Sequence, residues 1–160
     1  MAKDSFFIRK RVALNADDSL DEVAIDLGFV VDALGKSVCR IHNVAVQYGA
    51  GYVTSGVGSS ANFELSTQSS LTLQTASDKS TISTGSLVFY AESPSGAITF
   101  MTQDFDVAPQ DFTNGYLVAV DQLYLRGQGV NSQGWINVVL ECTVETMNSS
   151  AAMALSLSQQ

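Results

Sequence analysis

The sequence predicts an all-β fold, a sandwich or barrel of about nine or ten strands with almost no helix. Three observations predict it. Residues 135–145 alternate strictly: Ile136, Val138, Leu140, Cys142 and Val144 share one face, and Trp135, Asn137, Val139, Glu141, Thr143 and Glu145 share the other. That period of two is the mark of a half-buried strand. Short Val-, Ile- and Thr-rich segments recur along the chain, and clusters such as Ser93-Pro94-Ser95-Gly96 separate them. No fixed repeat is visible, which argues against a propeller or solenoid, and no Pro-rich or Gly/Ser linker divides the 160 residues into domains.

Taken in order, residues 6–13 (FFIRKRVA) read as a first strand. In the next stretch Ser19 and Glu22 have the spacing of a capping box, and Leu20, Val23, Ala24 and Leu27 fit a helical face. Val23, Ile25 and Leu27 also alternate, and the β-rich context selects a strand over 22–26. Residues 28–34 fit one helical turn stopped by Gly35. Residues 36–47 form a strand in which Val38 and Ile41 break a single alternation, so a β-bulge is expected near Cys39. Residues 49–60 (GAGYVTSGVGSS) carry four glycines and read as a flexible connection. Short strands follow at 62–66, 71–75, 86–91 and 97–102. Residues 103–115 read as a loop in which Pro109 opens a helical turn. Residues 116–146 then read as a long antiparallel hairpin with a polar, Gly-rich link, and its inner face (Ile136, Val138, Leu140, Val144) is expected to close the sandwich. Residues 151–158 (AAMALSLS) suggest a last strand or an uncharged arm.

Charge is unevenly spread. The apolar share, 46%, is ordinary, but charged residues make up only 15%, against roughly 25% for a typical domain. The first eleven residues hold Lys3, Arg9, Lys10 and Arg11 against Asp4, a balance of +3; the remainder holds four cations against fifteen acids, or −11. An acidic body disfavours nucleic-acid binding by the general surface. Between Val44 and Gln103 the only charges are Glu64, Asp78, Lys79 and Glu92, and none follows Glu145. Isolated β proteins guard their sheet edges with charge, Lys above all. A chain that omits these guards is expected to have its edges covered or used in an assembly.

No constellation points to an enzyme. His42 stands alone in its strand with no nucleophile motif beside it, so a structural role is expected. Cys39 and Cys142 sit in apolar strands and read as buried free thiols rather than a disulfide or metal pair. The acidic clusters at Asp17, Asp18, Asp21 and Glu22 and at Asp104 and Asp106 lack the calcium-loop pattern. The glycines from Gly49 to Gly58 lack the spacing of a phosphate loop. No cofactor, metal or small-molecule substrate is expected. MAKDSFFIRKR has no apolar run of signal-peptide length, and no segment reaches membrane-spanning length, so synthesis in a cytoplasm is expected.

An acidic, Ser/Thr-rich β protein of this size with a short basic start resembles the single-jelly-roll capsid proteins of tailless icosahedral viruses of bacteria and archaea. Residues 25–51 (IDLGFVVDALGKSVCRIHNVAVQYGAG) look like the opening strand–turn–strand unit of such proteins, and WINVVLECTVET looks like their closing strands. The resemblance implies one jelly-roll domain over residues 1–160; residues 1–13 read as a basic strand or arm, and the uncharged residues 147–160, which depart from a simple barrel, read as a last strand or an arm. It implies a virion protein that assembles with copies of itself and other capsid proteins. Aromatic side chains with few charges around them mark interface cores, which makes Tyr48, Tyr52, Phe105, Phe112 and Trp135 the candidate assembly residues. Arg9, Lys10 and Arg11 are the candidates for facing genome or an internal membrane. The alternative is a carbohydrate-binding or adhesion β-sandwich, whose mark is an exposed row of aromatics.

Overall fold

We describe residues 4–32, 37–53 and 56–160 of a computed structural model, with backbone only for 50–53. Nine strands run in chain order: β1 (Phe6–Leu14), β2 (Asp21–Asp26), β3 (Ser37–Val53), β4 (Gly58–Ser66), β5 (Thr81–Ala91), β6 (Ile98–Val107), β7 (Tyr116–Val118), β8 (Gln122–Val130) and β9 (Ser132–Thr146); one helix, α1 (Ser149–Ser158), ends the chain. Sheet 1 has the order β1-β9-β3-β7 and sheet 2 the order β2-β8-β4-β5-β6. Every pairing is antiparallel. With β6 set aside as an added edge, first pairs with last, second with next to last, third with the one before it, and the two middle strands with each other. That winding is a jelly roll.

The two inner faces share one core. Val12, Ile41, Val44, Ile136, Val138 and Leu140 of sheet 1 meet Ile25, Phe63, Leu65, Leu87, Leu123 and Leu125 of sheet 2. Each set follows the alternation of its strand, which is why the chain reads so plainly as β. Phe63 bridges the layers, edge-on to Tyr48 at 6.3 Å and to Phe105 at 5.8 Å. The second contact needs Gly85, because a Cβ there would strike the Phe63 ring and the backbone of Asp104. Cys39 and Cys142 are buried and free; a hydrogen bond to Cys39 and burial push the Cys142 thiol up, so it stays protonated.

Several expectations are corrected. The hairpin expected over 116–146 does not form: β8 pairs with β2 and β4 in sheet 2, β9 with β1 and β3 in sheet 1. Asn131, at a φ of 51°, carries the chain from one sheet to the other. An arch between sheets and a hairpin within one present the same alternating pattern, so periodicity could not separate them. Val144 is 41% exposed, because the inner face of β9 is covered only as far as Cys142. The bulge lies at His42, between Ile41 and Asn43. Val38 breaks the alternation because it faces the other way and is buried beneath α1. Residues 71–75 are not a strand, β6 extends five residues beyond its expected end, and β3 runs on to Val53. The turn after Leu27 is present, with Val30 and Val31 both donating to the Leu27 carbonyl, while Gly35 lies outside the described residues.

The expected strand at 151–158 is a helix. Ala, Met and Leu favour it, and Asn148 caps it by accepting from the Ala151 amide at 2.8 Å. The helix lies on the outer face of its own sheet 1, with Ala152, Met147 and Leu155 on Val38, Leu117 and Ala119. Its far end seals the β7 edge. The Gln159 amide accepts from the Ala119 N–H at 2.9 Å and donates to the Leu117 carbonyl at 2.7 Å, as a neighbouring strand would. Thr67 holds the Gln159 carbonyl at 2.8 Å. The Gln110 side chain does the same for β3, bonding the N–H and carbonyl of Val44 at 3.1 and 3.0 Å. Replacing Gln159 by Ala leaves two backbone groups without partners, which costs about 1–3 kcal/mol each where burial persists. Urea unfolding is expected to show a lower midpoint with an unchanged slope, and no change would contradict the sealing role.

Candidate assembly surfaces

A two-sheet sandwich has four sheet edges, each a row of unpaired N–H and C=O groups. Three are guarded. β1 carries Arg9, Lys10 and Arg11. β2 has six residues, three of them acids, and Asp21 turns back to accept from the Ala13 amide at 3.3 Å. β7 is closed by Gln159. The fourth edge, β6, reads ITFMTQDFDV and has no Lys, Arg or Pro. Both of its faces are open: Ile98 is 55% exposed, Phe100 55%, Met101 65% and Phe105 37%. On the neighbouring β5, Val88 and Tyr90 are also exposed, and Tyr90 pairs with Phe100 across the strands. Sheet 2 therefore ends in an apolar flap.

The outer face of sheet 1 carries the basic residues. Arg9 and Arg11 point outward, alternating with the inward Ile8 and Val12. Arg11, Asn137 and Gln47 align across β1, β9 and β3. The guanidinium donates to Asn137 at 2.8 Å, and Asn137 donates to Gln47 at 3.3 Å. The Arg11 guanidinium also lies 4.5 Å from the Trp135 ring centre, and the same ring packs against Gly49, where no Cβ would fit. Arg9 sits 5.8 Å over the Phe7 ring. Between these residues is a concavity of about 450 Å³, lined by Arg9, Lys10, Arg11, Ala45, Gln47, Asn137 and Val139 among others.

The aromatic candidates do not form one patch. Trp135 is half-buried between Gly49 and Arg11. Tyr48 is half-buried against Phe63, and burial, with Asp106 nearby, pushes its phenol up. Phe105 lies in β6 and Phe112 is 55% exposed just after the 3-10 turn Pro109–Asp111. The Tyr52 side chain lies outside the described residues. Ile98, Phe100, Met101, Val88 and Tyr90 escaped sequence reasoning. Their signal is a strand with apolar residues on both faces, no Lys, Arg or Pro, and its two acids only toward its end. His42, at the bulge, makes a 2.8 Å hydrogen bond with Thr143 at an open depression that Ser5, Glu141 and Glu145 also line.

One buried polar constellation lies elsewhere. Arg126 of β8 is fully buried on the outer side of sheet 2. Its Nε and Nη2 hold Glu64 at 3.2 and 2.6 Å, Nη2 also reaches Ser66 at 2.8 Å, and Nη1 holds Glu22 at 3.0 Å and the Gln68 carbonyl at 2.8 Å. Glu64 in turn accepts from the Gln74 amide at 2.6 Å. All five donor sites of the guanidinium are used, in the fork geometry that suits carboxylates. The cluster pins residues 67–80 over the sheet and leaves no donor for a ligand. Sequence reasoning counted Glu64 and Arg126 only as charges, because residues 62 apart in the chain show no spacing signal.

Replacing Arg126 by Met leaves Glu64 buried without its partner. Breaking a buried pair in this way costs about 3–5 kcal/mol, measurable by urea unfolding; a loss under about 1 kcal/mol would contradict the account. Burial alone would raise the Glu22 carboxyl, but hydrogen bonds from Ser69, the Ser70 amide and Arg126 outweigh it and hold it below the ordinary glutamate value. The stability from Glu22 is therefore fully present above about pH 4.3 and is lost as pH falls below it. Limited proteolysis should find residues 67–80 cut sooner in acid, and Glu22→Gln should weaken that pH dependence.

No family model and no curated protein matches the chain. Among solved structures it is similar to a chain from Desmodium yellow mottle tymovirus, at 8% identity and a TM-score of 0.33, over 91% of this chain and 89% of that one.

Proposed function

We propose that this protein is a capsid subunit, a single jelly roll that tiles a shell by contact with its own copies, of the kind found in tailless icosahedral viruses of bacteria and archaea. The observation that carries the reading is the β6 edge. Three edges are charged, shortened or sealed by side chains, and the fourth is a ten-residue strand with no Lys, Arg or Pro whose first half exposes Ile98, Phe100 and Met101. Left open on a monomer, such an edge is an aggregation site; within an assembly it is a contact. The low charge of residues 44–103 supports the same reading, because that stretch includes β4, β5 and most of β6. A stable contact there buries about 1,200–2,000 Å² in total. The partners are copies of the chain and other shell proteins, and the protein resides in the virion. Phe105 belongs to the β6 contact, and Phe112, Tyr48, Tyr52 and Trp135 remain candidates for contacts around it. The ridge of Arg9, Lys10 and Arg11 faces an anionic partner, for which genome, lipid and an acidic protein surface are the candidates.

Electron microscopy and sedimentation of the purified protein test this reading. Rings, capsomers or closed particles are expected, and a strict monomer at high concentration would overturn it. A guarding charge should abolish assembly without unfolding the subunit. Phe100→Lys with Met101→Lys is expected to sediment as a monomer while its unfolding midpoint stays close to wild type, since exposed substitutions shift stability by only about 0.5 kcal/mol. Normal assembly of that variant would exclude β6 from the contact.

A further inference from the structure

We propose that the basic ridge of β1 on one copy receives the acidic β5–β6 flap of the next copy. The proposal rests on the assembly reading above and specifies its contact. The charges are segregated. Among the described residues, Arg40 is paired with Glu145 and Arg126 with Glu22 and Glu64, while Arg9, Lys10 and Arg11 pair with no carboxylate of their own chain. The flap carries Glu92, Asp104 and Asp106 and no cation. Two outward cations with no carboxylate of their own chain, Arg9 and Arg11, thus match the acids of the flap.

Position and shape agree with this. β1 lies beside β2 at one side of the sandwich, and β6 ends sheet 2 at the other. Patches at opposite sides cannot meet within one chain, so the contact is head-to-tail and leaves a free ridge and a free flap at either end. Repetition of such a contact closes rings or extends an array, which a shell requires and a two-fold contact alone does not supply. The concavity beside Arg9 and Arg11 has Ala45 and Val139 in its lining, so it offers apolar surface with guanidinium groups at its margin. The outer face of β6 offers the complement, with Phe100 and Asp104 on the same side of the strand. Charge at such a contact chiefly fixes partner and register.

Two charge-reversed chains test the contact. One carries Arg9→Glu and Arg11→Glu, the other Asp104→Lys and Asp106→Lys, and circular dichroism checks that each is folded. Each alone is expected to need roughly a hundredfold higher concentration to assemble, because like charges then face each other. An equal mixture is expected to assemble near the wild-type concentration, since each reversed surface finds an opposite charge on the other chain. Failure of the mixture with both chains folded would overturn the contact, as would normal assembly of either chain alone. Shells of the Arg9, Arg11 variant that form normally but lose bound nucleic acid or lipid would assign the ridge to that partner instead. A wild-type protein that never assembles would remove the capsid reading itself, a distinct result.

Discussion

Backbone groups at a sheet edge must find partners, and this constraint organises the molecule. Hydrogen bonds within a sheet are directional, and the last strand always has one side left over. The jelly-roll winding joins two open sheets, so the problem arises four times. The chain answers it with different devices. Charges guard β1 and β2, and Gln159 closes β7 by imitating a peptide group. The helix α1 leads into that glutamine and packs Ala152 and Leu155 against the cluster of Val38, Leu117 and Ala119. β6 carries only Asp104 and Asp106, toward its end, and the open backbone of its first half coincides with the most exposed apolar side chains of sheet 2.

The same constraint links packing to the surfaces. Residues 67–80 lie over the outer side of sheet 2 because Arg126 and Glu64 hold them there from beneath. Thr67, in that loop, holds the backbone of Gln159. The buried charge cluster and the sealed edge are therefore mechanically joined. The uncovered remainder of sheet 2 is the β5–β6 flap. One half of the sheet is fastened down by a saturated ion network, and the other half is left open.

The fold class was legible in the sequence because alternation is a local property of each strand. Most of the core, from Val12 to Leu140, could be read directly from it. What could not be read involved relations between distant residues. The link at Asn131 leads into the opposite sheet, yet its two strands show the pattern of a hairpin. Val38 looked like a break in a strand because the helix that buries it lies more than 110 residues away in the chain. Gln110 and Gln159 are ordinary loop and helix-end residues until their backbone partners are seen. The missing guard charges were legible, and they pointed to residues 44–103; the aromatic candidates were chosen by size and sparse local charge, neither of which reveals packing by residues distant in the chain, and Trp135 and Tyr48 are half-buried by neighbours of their own chain.

The central claim is that the β6 edge is completed by another copy of the chain. Amide hydrogen exchange, followed residue by residue in dilute and in assembled protein, reads this directly. The account predicts that the amides of residues 98–107 gain the largest protection on assembly, while those of β7 are protected in both states by Gln159. Assembled protein in which the β6 amides exchange as fast as in the monomer would contradict it.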